Sequence, residues 1–121
     1  MVASVSHVRN TEHLFVVSPD PARRIKAIQA FGLAQDASRL PILQERLPLE
    51  TDPRVHRGLR EAVALIQLKD ANDEVKLAAL VELKALHTLS STDFLQRALK
   101  EAEERKNEPL VAAAKSALYA V

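Results

Sequence analysis

With no cysteine in its 121 residues, the chain can draw chemistry only from histidines, carboxylates and hydroxyls; thiolate and disulfide chemistry is excluded. His7, His13, His56 and His87 are the candidates for metal binding or proton transfer. None stands four residues from another and no His-Glu-x-x-His spacing occurs, so solvated or pairing histidines are expected and no metal site is assigned. Glu101, Glu103 and Glu104 could serve acid–base chemistry, but they share a helix face with Lys100 and Arg105 and read as a solvated surface. Ser90, Ser91, Thr92 and Asp93 invite a nucleophile. Without a nucleophile elbow, a phosphate loop or a dinucleotide fingerprint, they are expected as loop and N-cap residues whose oxygens accept from free backbone N–H groups. No catalytic residue, cofactor-binding residue or cofactor follows from any of these.

Basic residues form the other concentration of chemical groups. Arg23, Arg24 and Lys26, with Arg54, Arg57 and Arg60, sit near the starts of what read as equivalent helices. They could form a stripe for a protein partner or anionic headgroups, with Arg23, Arg54, Arg57 and Arg60 as the contact residues. They could instead contribute to a ladder in which Arg24, His56 and Lys76 pair with the capping acids Asp20, Asp52 and Asp73. Exposed pairs of that kind contribute about 0–1 kcal/mol each.

What must position these groups is a recurring helix start. The segments 20-DPARRIKAIQAF-31, 52-DPRVHRGLREAVALI-66, 72-NDEVKLAALVEL-83 and 108-EPLVAAAKSALYAV-121 each open on an acid or Asn and continue with apolar and small residues at helical spacing. One such unit cannot bury its own apolar face, and stacking does it. Six helices are expected, over about 20–34, 38–48, 53–68, 73–87, 92–105 and 109–121. Their apolar faces are Ile25, Ile28 and Phe31; Leu40, Leu43 and Leu47; Val55, Leu59, Ala62, Val63 and Ile66; a nearly all-round set on 73–87; Phe94, Leu95, Ala98, Leu99 and Ala102; and Val111, Ala114, Leu118 and Val121. A helix apolar all round is covered on several sides, which places 73–87 centrally. Gly58 falls mid-helix where other repeats carry Ala, so close helix approach is its expected role.

The fold class that follows is all-α: short loops make neighbouring helices antiparallel, and about six of them stack into a right-handed α-solenoid, a HEAT-like or armadillo-type superhelix. Residues 1–17 read as a flexible lead-in ending in a short cover, and 18–121 as one domain. Aromatic residues are only 3%, so the core is aliphatic and small, as close helix packing prefers. The helix starts at 20, 52, 72 and 108 are spaced by 32, 20 and 36 residues, so a local change in stacking is expected between 66 and 73.

Charge excludes one class of partner. The chain has a net charge of +1 from 17 basic and 16 acidic residues, too balanced for nucleic-acid binding by counterion release. No apolar run approaches the ~20 residues that cross a bilayer, and the first ten residues lack the apolar middle of a signal peptide. The helix running to the last residue fits either a chain that ends there or a domain cut from a longer protein.

The pair LPILQERL (40–47) and DPRVHRGLREAVALI (52–66) resembles a HEAT repeat. The order SPDPARRIKAIQAF, LPILQERL, ETDPRVHRGLREAVALIQL, EVKLAALVEL, EPLVAAAKSALYAV, covering 18–121, resembles the extracytoplasmic N-terminal region of the urea ABC-transporter permease. Arg23, where that pattern prefers Val, and HTLSST (87–92), where it has a Gly-Asp turn, depart from it. The resemblance implies a non-catalytic protein-interaction domain on the periplasmic side of the membrane. Its partners would be other transporter subunits or a substrate-binding protein, and it would be tied to the membrane only through a C-terminal permease part. The rival expectation is a stand-alone HEAT-like adaptor unrelated to transport; a HEAT-like lyase is the third.

Overall fold

The computed structural model describes residues 16–120; the expected lead-in, His7, His13 and Val121 lie outside them. Six α-helices run within the described residues from 21 on: α1 (Pro21–Ala34), α2 (Leu40–Arg46), α3 (Pro53–Gln67), α4 (Asp73–Leu86), α5 (Thr92–Glu104) and α6 (Glu108–Ala120). No strand occurs among the described residues.

The recurring starts are caps. The Asp20 carboxylate accepts from the Ala22 N–H, Asp52 from the Arg54 and Val55 N–H groups, and the Asn72 amide oxygen from the Glu74 N–H. Asn107, just ahead of α6, accepts from the Leu110 N–H. Each satisfies backbone donors that the first helical turn leaves without partners. The expected helix over 38–48 is shorter than its pattern: Leu40–Arg46 is α-helical, flanked by the 3₁₀ turns Ala37–Arg39 and Leu47–Leu49. Pro48 has no N–H to donate back into the helix, so the regular turn closes before it.

The uneven spacing of starts resolves into a three-helix unit built twice. α1, its turn and α2 recur 52 residues later as α4, the turn Leu89–Ser91 and α5; α3 recurs 55 residues later as α6. Each unit carries the same two ties. The first joins helix ends. α1 and α4 close on left-handed residues, Gln35 (φ 48°) and His87 (φ 54°). Gln35 Nε2 donates to the Leu65 carbonyl at 2.8 Å and His87 Nδ1 bonds the Ala120 carbonyl at 2.8 Å. The second tie joins helix starts, Arg24 to Glu50 in the first unit and Asp73 to Arg105 and Asn107 in the second.

Two apolar cores match the two units. Val16, Ile28, Leu43, Val55, Leu59, Ala62, Val63 and Ile66 form one. The other gathers Leu80, Leu83, Leu86, Leu95, Ala102, Leu110, Ala114 and Ala117, and α3 reaches it through Ala64 and Leu65. α3 therefore belongs to both cores, packing on α1, α2 and α4. Across 66–73, where a change in stacking is expected, α3 and α4 pack directly.

Two expectations about packing need correction. Helix 73–87 packs on two helices, α3 and α6, but is not covered all round: Val81 is 60% exposed and Leu77 36%. α4 packs chiefly on α3 and α6 and leaves its remaining side open, whereas α3 carries seven buried residues. On α6 the buried residues are Leu110, Ala114 and Ala117, with Val111 and Leu118 at the edges. An alanine-rich helix is apolar at so many positions that periodicity alone does not orient it.

Gly58 is the third correction. A Cβ there would meet nothing within 4 Å, while one at Gly32 would lie 2.8 Å from the Ala62 Cα. The close approach is α1 on α3, and Gly32 permits it. Gly58→Ala should therefore stabilise the domain by about 0.5–1 kcal/mol, by restricting the unfolded chain and improving helix propensity. Gly32→Ala should destabilise it by about 1–3 kcal/mol, because backbone must move to admit the methyl group. Chemical denaturation of both variants checks the opposite signs.

Candidate functional surface

The basic residues do not form one stripe. Arg60, half-buried on α3, forks onto Glu82 of α4 with bonds of 3.0 and 2.6 Å, tying the two units together. Arg54 leans toward the capping Asp52 at 3.7 Å with most of its side chain in solvent. Arg23 on α1 and Arg57 on α3 are exposed, and neither makes an ion pair among the described residues. Of the four expected contact residues, Arg60 is structural and Arg23, Arg54 and Arg57 face solvent.

The expected ladder between cations and capping acids is not what forms. Asp20 and Asp52 are occupied by backbone N–H groups; Asp73 is not the cap of α4 and accepts from Arg105 and Asn107, with the Lys76 charge acting on it as well. Arg24 is buried and donates through Nε and Nη2 to the two Glu50 carboxylate oxygens, both at 3.0 Å. Its Nη1 donates to the Ser18 and Pro19 carbonyls at 2.7 and 3.2 Å. Arg46 adds bonds of 3.3 and 3.4 Å to Glu50, and the Asp52 N–H donates to it at 3.0 Å. Lys76, the counterpart of Arg24, donates to the Leu68 carbonyl at 3.1 Å and to Glu101 at 3.2 Å. His56 acts electrostatically on Glu82, not on Asp52.

At the matching place in the second unit the polarity is reversed. There the anion, Asp73, is on the first helix, and the cation, Arg105, precedes the third; the bonds are 2.9 and 2.8 Å, with Asn107 Nδ2 donating at 3.0 Å. One tie between starts is thus made by opposite residue types. The second is half-exposed where the first is buried.

These pairs set the titration behaviour. Burial pushes the Glu50 carboxyl up, but the Asp52 N–H, the Arg24 bonds and the Arg24 and Arg46 charges more than offset it, leaving the group below its ordinary range. Arg105 holds Asp73 low, Arg60 holds Glu82 low, and the N–H and hydroxyl of Ser38 do the same for Asp36. The Arg54 N–H holds Asp52 low. A carboxyl kept ionised is a structural anion. It is the opposite of the raised carboxyl that general-acid catalysis uses.

The hydroxyl run 90–92 lies in the turn and at the start of α5, with Ser91 at the N-cap position as expected, but its hydrogen bonds differ. Its oxygens do not accept from N–H groups as caps; they donate. Ser91 Oγ donates to the Thr88 carbonyl at 2.8 Å and Thr92 Oγ1 to the Leu89 carbonyl at 2.8 Å, because the 3₁₀ turn leads straight into α5. Ser90 Oγ donates to Glu61 at 2.7 Å, joining the turn to α3. Thr88 Oγ1 is buried without a partner. Its counterpart Asp36 caps the first unit's turn, accepting from the Ser38 N–H at 3.0 Å and its hydroxyl at 2.7 Å. Thr88→Asp should recreate that cap and stabilise the domain by about 1 kcal/mol, read as a rise in midpoint at unchanged slope in urea.

Glu101 pairs with Lys76, while Glu103 and Glu104 are exposed on α5. Among the described residues no group of three His, Asp or Glu could hold a metal ion, and no helix is long and apolar enough to cross a membrane. Concavities are open grooves. One of about 200 Å³ runs between α1 and α3, lined by Gln29, Gly32, Leu33, Gly58, Glu61 and Ser90 among others. Another of about 360 Å³ follows the α3–α4 junction beside Arg60, Val63, Gln67, Ala78, Val81 and Glu82. The sequence did not single out Glu50 or Gly32; the Glu-Thr-Asp-Pro run before a helix and a glycine on an apolar helix were their only signals. Comparison with family models, curated proteins and solved structures found no match.

Proposed function

We propose that this chain is a non-catalytic protein-interaction domain, a short right-handed HEAT-like α-solenoid of antiparallel helices, serving as the periplasmic-side N-terminal part of a urea ABC-transporter permease. The observation that carries the interaction role is the doubled three-helix unit. The polar groups at its ties are consumed by structure, while helix faces and open grooves are left to solvent. Surfaces of that kind bind by shape and charge, as stacked helical repeats do. The transporter assignment comes from the ordered resemblance of residues 18–121.

A tagged domain used as bait in envelope extract tests both parts. Recovery of transporter subunits or of a substrate-binding protein is the expected result. A folded bait that returns only unrelated proteins would remove the transporter link and favour the stand-alone adaptor. A bait that enriches nothing over a scrambled control would remove the interaction role itself.

A further inference from the structure

Both units close on the same two ties, but only the first hides them. The Arg24 and Glu50 side chains are buried, whereas Asp73 and Arg105 keep 40% and 42% of theirs in solvent. The ties between helix ends differ in the same sense. The Gln35 bond to the Leu65 carbonyl is half-buried, and the His87 bond to the Ala120 carbonyl is exposed. Lys76 adds another exposed bond from α4, to Glu101 on α5. Exposed pairs weaken as ionic strength rises, while buried ones are screened much less.

The apolar contacts follow the same division. α1 lies close against α3, with Gly32 at the Ala62 backbone, and α3 buries seven residues. α4 and α6 contain no glycine, and α6 buries three residues, Leu110, Ala114 and Ala117. Two of these are alanines, which withdraw little apolar area from water. Among the helices, α5 packs chiefly on α6. The turn between them is closed by its own backbone bonds, from the Lys106 N–H to the Glu103 carbonyl and from the Asn107 N–H to the Ala102 carbonyl. A displacement of α6 therefore carries α5 with it.

We propose that α5 and α6 form a releasable pair, which leaves α4 as one body while α1, α2 and α3 stay packed, and that ionic strength sets how often it opens. Segments held by few buried contacts and by solvent-exposed bonds are the ones that open below the cost of global unfolding. Opening uncovers Leu80 and Leu83 on α4, two residues of the second core. The domain can thus present or withdraw an apolar face without unfolding. This motion belongs to the domain itself and does not depend on the transporter reading.

Native-state hydrogen exchange of the full chain in low urea reads the opening. Amides of α5 and α6 should share one opening equilibrium, at least about tenfold more populated than the one that exposes α3. Its urea slope should be smaller than that of global unfolding, since less surface is exposed. Raising sodium chloride from about 0.05 to about 0.5 M should speed exchange in α5 and α6 and leave α3 unchanged. Asp73→Asn should speed it about two- to fivefold, again only in α5 and α6. Salt should then have a smaller effect on the variant, because the charge pair is already gone. Equal protection of α3, α5 and α6 would overturn the proposal. So would α5 amides that stay as protected as those of α3 while α6 exchanges, or an Asp73→Asn effect that reaches α1 and α3 in equal measure.

Discussion

Truncating Glu50 to alanine should cost the domain about 3–5 kcal/mol, the loss expected when one member of a buried ion pair is removed and the other stays. The Glu50 side chain is fully buried, and Arg24 is 8% exposed. Without the carboxylate, Arg24 keeps the Ser18 and Pro19 carbonyls but loses both charged bonds. The Asp52 N–H also loses its acceptor, at the point where α3 is capped. For a domain whose total stability is about 5–15 kcal/mol, the variant should be largely unfolded or melt at much lower temperature. Arg24→Met with Glu50→Leu should recover much of the loss, because replacing both partners leaves no buried charge alone. If the double change costs as much as Glu50→Ala, the pair is not what Glu50 contributes.

The same group fixes part of the pH dependence. Glu50 titrates below its ordinary value of 4.5 in the folded protein. The unfolded chain therefore takes up the proton first, and the contribution to stability is complete above about that value. It is lost as pH falls through the lower folded value. Asp36, Asp52, Asp73 and Glu82 shift in the same direction, so they add to the slope below pH 4.5 with the same sign. Stability measured between pH 3 and 6 should fall steeply with acid in the wild type and less steeply in the double variant Arg24→Met, Glu50→Leu, which lacks the Glu50 carboxyl.

Local grammar was legible in the sequence, and pairing between distant residues was not. The caps at Asp20 and Asp52 are short-range devices written within three residues and form as expected, whereas α4 is capped by Asn72 and not by the expected Asp73. The face of α3, with Val55, Leu59, Ala62, Val63 and Ile66 all buried, has a clean period because few of its outward positions are apolar. α4 and α6 lack that contrast, so their enclosure and facing had to come from packing. The partner of Arg24 lies 26 residues away at Glu50, and no spacing rule links them. The expected ladder picked the nearest acid instead; at Asp20 and Asp52 that acid is already used by backbone N–H donors, and Asp73 is held by Arg105. Of the surface, the solvent-facing positions of Arg23, Arg54 and Arg57 were legible. The structural role of Arg60 was not, since it depends on where Glu82 lands.

Leu80 and Val81 are neighbours in sequence and opposites in the fold, and an aspartate at each should separate packing from composition. Leu80 is 2% exposed within the second core, among Leu83, Leu86 and Ala114; Val81 is 60% exposed. A carboxylate at 80 would have to remain charged in an apolar site or take up a proton to enter it. The loss of leucine packing alone is about 2–5 kcal/mol. Added to the burial of an unpaired acid, that should exceed what a small domain holds in reserve, and Leu80→Asp should show no cooperative melt at neutral pH. Val81→Asp places its charge in water beside the α3–α4 groove and should shift stability by no more than about 0.5 kcal/mol. Circular dichroism of both variants decides the matter. Similar melting for the two would mean that α4 does not bury the stripe through Leu80 and Leu83, and the junction that joins the two three-helix units would have to be drawn differently.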